Sequence, residues 1–236
     1  MTHNKSGVIE RLKALYIPNV IETYGDVNLP KAAVLVPIFF RNGDLHVLLT
    51  VRGKHLRSHG GDVAFPGGKM DEGDSDLLVT ALREAEEEIG LPRETVEIVC
   101  QCVPFCTRNG IMVAPFIGFI DDDFTPAPNA HEVSDVFSMP ISDFLSAKNH
   151  RYEEYSYDNG FFMYVHFFEY IEKDKIFSPW GITALICIVV AVIALQRQPE
   201  FTINTHCVPD DPVQMLLFLF RKGIDTYKKG KFSSRL

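Results

Sequence analysis

Residues 65–91 read FPGGKMDEGDSDLLVTALREAEEEIGL, a glycine turn joined to a helix whose ends and faces are all legible. Asp74, Ser75 and Asp76 are each competent N-caps, and Gly90 followed by Pro92 supplies a left-handed stop. At about 100° per residue, Leu78, Leu82, Ala85 and Ile89 form one narrow apolar stripe that faces a core. Glu84, Glu87 and Glu88 fall within an arc of about 100° on another side, where they are expected to be exposed. With both ends fixed, the carboxylates have a rigid support.

A run such as EAEEE on a helix is ordinarily a solvated face. Here Glu84 and Glu88 are a like-charged i,i+4 pair that weakens an isolated helix, a cost that a bound cation converts into affinity. Carboxylates at this spacing let oxygens converge on a hard cation such as magnesium. Phe65-Pro66-Gly67-Gly68, just upstream, brings backbone close enough for a carbonyl to complete the shell. Arg52, Lys54, His55 and Arg57 form a short cationic cluster nearby. Two readings of it stand open: a clamp for phosphates, or loop cations pairing with surface acids.

Arg83 to Leu91, REAEEEIGL, matches the second half of the Nudix hydrolase signature position by position, and the segment resembles that family. The first half departs from it: Lys69 stands where the usual glycine would, so Gly68 lies one residue early and the spacer acid moves to Asp74 or Ser75. The same offset belongs to the family's coenzyme A branch, whose own motif resembles Leu48-Leu49-Thr50-Val51-Arg52, then Arg57, Gly61 and Phe65-Pro66-Gly67-Gly68, with Gly53 in place of the usual serine. The two motifs cover under a fifth of the chain.

The resemblance implies metal-dependent hydrolysis of the diphosphate in coenzyme A and acyl-CoA, giving adenosine 3',5'-bisphosphate and (acyl-)phosphopantetheine. It implies Mg2+ or Mn2+ held chiefly by Glu84 and Glu88, with Glu87 as a further ligand or as the group orienting water. Arg83 would hold the glutamates by charge-assisted hydrogen bonds. Arg52, Arg57, Gly67 and Gly68 become substrate-binding candidates. Glu132 is a candidate for a distant acid reaching the site, with an ordinary surface role as the alternative. Two rival functions stay open: a Nudix diphosphatase for NADH, nucleotide sugars or capped nucleotides, and a non-catalytic ligand-binding module.

The expected fold class is α/β (α+β), a Nudix-like αβα sandwich with a mixed β-sheet. Strand-like runs cover 32–40 and 45–51, joined at Asn42-Gly43, a hairpin signal, and continue at 96–103, 111–120 and 161–170. Residues 122–131, with Pro126, Pro128 and Asn129, read as a loop. Residues 180–195, WGITALICIVVAVIAL, are apolar throughout, but sixteen helical residues span about 24 Å, short of a hydrocarbon core of roughly 30 Å. A buried helix is expected there, with no membrane span, and 213–220 reads as a core or subunit-contact helix.

The division expected is an N-terminal extension over 1–28, a Nudix domain over 29–172 with its box at about 67–91, a C-terminal helical extension over 173–233 packing on it, and a targeting tripeptide at 234–236. With 46% apolar residues the chain can bury a full core. A net charge of −8 supplies no basic stripe for nucleic acid. Five cysteines, with Cys100, Cys102 and Cys106 unlike a zinc knuckle, read as reduced thiols. The opening residues lack the apolar core of a secretory signal. Ser234-Arg235-Leu236 resembles the carboxyl-terminal Ser-Lys-Leu peroxisomal address, so a peroxisomal import receptor is an expected partner and the peroxisome the expected location. Monomer and homodimer both remain open.

Overall fold

The computed structural model describes residues 4–24, 27–56, 59–107, 109–156, 162–205 and 208–229. Asn4 opens α1 (Lys5–Leu12), its side chain accepting the Gly7 N–H at 2.8 Å. Alternation along β1 (Lys31–Arg41) sends Ala33, Leu35 and Phe39 to one buried face and Val36 and Ile38 to the other, so this strand is central. Asn42 (φ 53°) and Gly43 (φ 89°) both take positive φ and turn the chain into β2 (Asp44–Arg52), the hairpin expected at this dipeptide.

Next come β3 (Val63–Ala64), β4 (Gly67–Lys69) and α2 (Leu77–Ile89), then β5 (Glu97–Gln101), β6 (Phe105–Cys106), β7 (Met112–Phe119) and β8 (Val133–Pro140). These strands make an eight-stranded mixed sheet in the order β3-β2-β1-β7-β5, with β4 beside β1, β6 beside β7 and β8 beside β2. β1 and β7 run parallel, and the other pairs are antiparallel. Beyond the sheet lie the antiparallel ribbon β9 (His150–Ser156) and β10 (Phe162–Phe168), the short hairpin β11 (Tyr170–Glu172) and β12 (Lys175–Phe177), and the helices α3 (Gly181–Leu195) and α4 (Pro212–Lys228).

α2 covers one face of the sheet, with Ala81, Ala85 and Ile89 against Ala33, Leu35 and Ala114. α3 belongs to the cluster on the opposite face, where Ile188, Val189 and Val190 are wholly buried, each contributing about 1.5–3 kcal/mol relative to exposure. The result is the αβα sandwich with a mixed sheet. The Arg11 guanidinium donates from Nε (3.0 Å) and Nη2 (2.7 Å) to the Ala194 carbonyl, placing a cation at the C-terminus of α3. Among the described residues, no helix is long and apolar enough to cross a membrane. Cys100, Cys102, Cys106 and Cys187 are free thiols, and burial pushes Cys106 up to about 11.

Several sequence expectations need correction. The buried side of α2 is centred on Thr80, Ala81, Ala85 and Ile89, while Leu78 and Leu82 are only half-buried. The helix sits close to β1 and β4, so small residues occupy the seam and the leucines flank it. β8 and β9 were not foreseen, and the strand expected over 96–103 ends at Gln101. Glu84, Glu87 and Glu88 are not uniformly exposed: Glu88 is 4% exposed, the Glu84 side chain is 15% exposed, and of the three Glu87, at 51%, faces solvent.

Candidate active site

Asp76 is the residue that caps α2, its Oδ1 accepting the Val79 N–H at 2.9 Å, and Gly90 ends the helix at φ 69°. Between these caps, Arg83 is gripped by Asp74 through two parallel bonds, Nε to Oδ1 (3.0 Å) and Nη2 to Oδ2 (2.9 Å). Asp74 also accepts from the Thr80 hydroxyl (2.9 Å) and the Asp71 N–H (3.0 Å). These donors, led by Arg83, hold its carboxyl well below the usual carboxylate range. Arg83 Nη1 then donates to Glu84 Oε1 (3.0 Å) and Glu87 Oε2 (2.9 Å). Despite its one-residue displacement, Asp74 thus fixes the guanidinium that orients two of the three helix acids.

The glycines of β4 explain themselves by what they touch. A Cβ at Gly67 would lie 2.4 Å from the Ala33 carbonyl oxygen, and one at Gly68 would lie 2.4 Å from Glu84 Oε1. The first would break the pairing with β1, and the second would displace the carboxylate. The Gly67 N–H donates to Glu88 Oε2 at 3.2 Å.

Glu132 reaches the site because residues 122–131 dock on the end of α2. The Ala127 N–H donates to Ile89 O and the Asn129 N–H to Glu88 O, both at 2.9 Å, closing helix carbonyls that would otherwise lack partners. Asn129 O then accepts the Glu132 N–H (2.9 Å), and Glu132 O accepts the Gly53 N–H (2.7 Å). Glu84, Glu88 and Glu132 each bring an oxygen to within 4.8 Å of the others. Arg52 follows an irregularity in the β2–β8 register and places Nη1 3.9 Å from Glu88 Oε1.

Of the residues singled out in the sequence, Arg52, Gly67, Gly68, Arg83, Glu84, Glu87 and Glu88 are thereby brought together. Glu87 sits in the hold of Arg83, outside the three convergent acids. Arg57 and Ser234, Arg235 and Leu236 lie outside the described residues. His55 Nε2 pairs with His131 O (2.8 Å) and His59 Nδ1 with Asp62 Oδ2 (2.9 Å), so neither histidine joins the acids.

The electrostatics show what this arrangement lacks. Burial pushes the Glu88 carboxyl up to about 7, and the Gly67 N–H and Arg52 only partly oppose it. Glu84 is raised for the same leading reason, burial, against the pull of Arg83. Three carboxylates around one small space, short of positive charge, fit a hard divalent cation with oxygen ligands.

The NUDIX domain profile matches residues 29–159. The chain is 36% identical over 203 residues to the peroxisomal coenzyme A diphosphatase NUDT7 of Mus musculus, covering 85% of this chain and 86% of that protein. It is 42% identical over 174 residues to Nudix hydrolase 15, mitochondrial, of Arabidopsis thaliana, covering 72% of this chain and 61% of the relative. A crystal structure of a C. elegans Ap4A hydrolase binary complex aligns over 49% of this chain and 82% of its own, at 22% identity and a TM-score of 0.42. With the profile spanning more than half of the chain and the acids of its signature gathered at one site, this protein belongs to the NUDIX family and is a Nudix hydrolase.

Proposed function

We propose that the chain hydrolyses the diphosphate of coenzyme A and its thioesters, releasing adenosine 3',5'-bisphosphate and (acyl-)phosphopantetheine. The observation that carries this reading is the convergence of Glu84, Glu88 and Glu132 beside Arg52, the first of the two arginines of the coenzyme A motif. The name of the mouse relative supports the same substrate.

Glu84, Glu88 and Glu132 would hold Mg2+ or Mn2+, and Glu87 is assigned the outer role of orienting water. The ion supplies charge to the phosphoryl oxygens and lowers the pKa of attacking water. Arg83 keeps Glu84 and Glu87 in fixed rotamers, Gly68 leaves room for the Glu84 carboxylate, and Arg52 offers a cation to the diphosphate. Incubation of purified protein with magnesium and a panel of coenzyme A, acyl-CoA, NADH and a nucleotide sugar, followed by nucleotide separation, tests the reading. Release of adenosine 3',5'-bisphosphate from the first two is expected; turnover of NADH alone overturns it.

The peroxisome is the proposed location, resting on Ser234-Arg235-Leu236 as a ligand for the peroxisomal import receptor. A fluorescent protein fused to the amino terminus should give punctate peroxisomal signal that turns diffuse when these three residues are deleted. A diffuse full-length fusion refutes the address.

A further inference from the structure

Beside the diphosphate site lies a second, chemically different surface that the carboxylates do not use. The Arg52 N–H donates to the Asp62 carbonyl (3.0 Å) and the Gly61 N–H to Arg52 O (2.9 Å), so Gly61 and Asp62 together face Arg52 just beyond the β2–β3 ladder. A backbone hydrogen bond between antiparallel segments holds its two residues roughly 5–6 Å apart at Cα, so Asp62 adjoins Arg52. Asp62 Oδ1 accepts the indole N–H of Trp180 at 3.3 Å, and Oδ2 pairs with His59 Nδ1. Trp180 lies parallel to Phe167, with ring centroids 5.7 Å apart and planes at 3°, and the Arg151 guanidinium stands 3.9 Å from the Phe167 centroid. No other ring or cation among the described residues stacks on Trp180, which is 38% exposed. The stack Arg151–Phe167–Trp180 therefore holds an indole rigidly, ties its edge to a carboxylate and leaves part of it to solvent.

We infer that Trp180, with Asp62 at its edge, is a stacking subsite for the purine base of the substrate. A flat aromatic face next to a phosphate site is what a nucleobase needs. Each oxygen of Asp62 keeps a second lone pair after its present bond, so the carboxylate can accept from an exocyclic amine. An amine at the purine 6-position is recognised there, whereas a carbonyl oxygen at that position meets the carboxylate with no proton to share. The choice of adenine rests on the coenzyme A reading above, in which the base lies a ribose away from the diphosphate.

Trp180 is the only tryptophan in the chain, so its fluorescence reports the subsite directly. Magnesium-loaded protein is titrated with adenosine 3',5'-bisphosphate, inosine 3',5'-bisphosphate and phosphopantetheine. Saturable quenching by the adenine ligand is expected at about tenfold lower concentration than by the inosine ligand, with none from phosphopantetheine. Trp180→Ala should raise KM for coenzyme A about tenfold with little change in kcat. Trp180→Phe, which keeps a ring on Phe167, should restore part of that loss and guards against a folding defect in the alanine variant. Coenzyme A turnover with no quenching and an unchanged KM in both variants overturns the subsite and leaves the substrate reading standing. Adenine-specific quenching in a protein that leaves coenzyme A intact supports the subsite and refutes the substrate reading.

Discussion

Glu88→Gln separates what this carboxylate contributes to chemistry from what it costs the fold. The carboxyl is 4% exposed, and burial moves it from 4.5 to about 7. The folded, metal-free protein thus binds this proton more tightly than the unfolded chain does. That contribution is fully present below about pH 4.5 and is lost as pH rises through about 7. At about 1.4 kcal/mol per tenfold change in proton affinity, the loss amounts to about 3 kcal/mol above pH 8. Glutamine has the same shape, can still accept the Gly67 N–H and carries no charge. In EDTA at pH 8.5 the variant should be more stable than the parent by about 3 kcal/mol, a rise in Tm on the order of 6–12 °C. At pH 4.5 the two should melt together. Urea titrations at both pH values measure the difference, while kcat with magnesium should fall by orders of magnitude. A stability difference that does not change with pH would refute the account of a buried, uncompensated charge.

Asp74→Asn removes one charge of a pair whose side chains are 4% and 15% exposed, so urea unfolding should show a loss of about 3–5 kcal/mol; a loss below 1 kcal/mol would make the pair incidental. His150 and His166 share a hydrogen bond (2.9 Å), and burial lowers both, His150 to about 4. Because the unfolded chain takes up these protons near pH 6.5, stability should fall as pH drops from there toward about 4, and His150→Gln should flatten that slope in pH-dependent thermal melts. Ile188→Ala, at a site with no exposure, should cost about 2–5 kcal/mol, against about 0.5 kcal/mol or less for Ile176→Ala at 65% exposure, both read by urea titration.

What could be read in advance was whatever local chemistry determines. The caps and period of α2, the Asn42-Gly43 turn and the unbroken apolar run of α3 each need only neighbouring residues to be recognised. β8 escaped because Ser134 and Asp135 interrupt its apolar pattern, and its pairing with β2 decides its state. The burial of Glu88 was illegible because charge implies solvent until the whole site is assembled, and here Gly67, Arg52 and the docked 122–131 loop together enclose it. Glu132 stood out only as an isolated acid, since the bonds that bring it to Glu88 run through backbone groups of Ala127 and Asn129. Arg52 was legible by motif, but the register irregularity beside it was not.

The parallel pairing of β1 with β7 sets the order in which this molecule can be assembled. Lys31 to Ile38 stay without their partners on that edge until Met112 to Phe119 have been synthesised, and the face lined by Val36 and Ile38 waits for α3. Chains emerge amino terminus first, so the ribosome releases Leu195 long after both strands are exposed. Until then an open apolar sheet and later an apolar helix are presented to the surroundings together, a long-range closure that is slow and open to aggregation. Production of this enzyme should therefore respond more to chaperone supply and growth temperature than its finished, closed core would suggest.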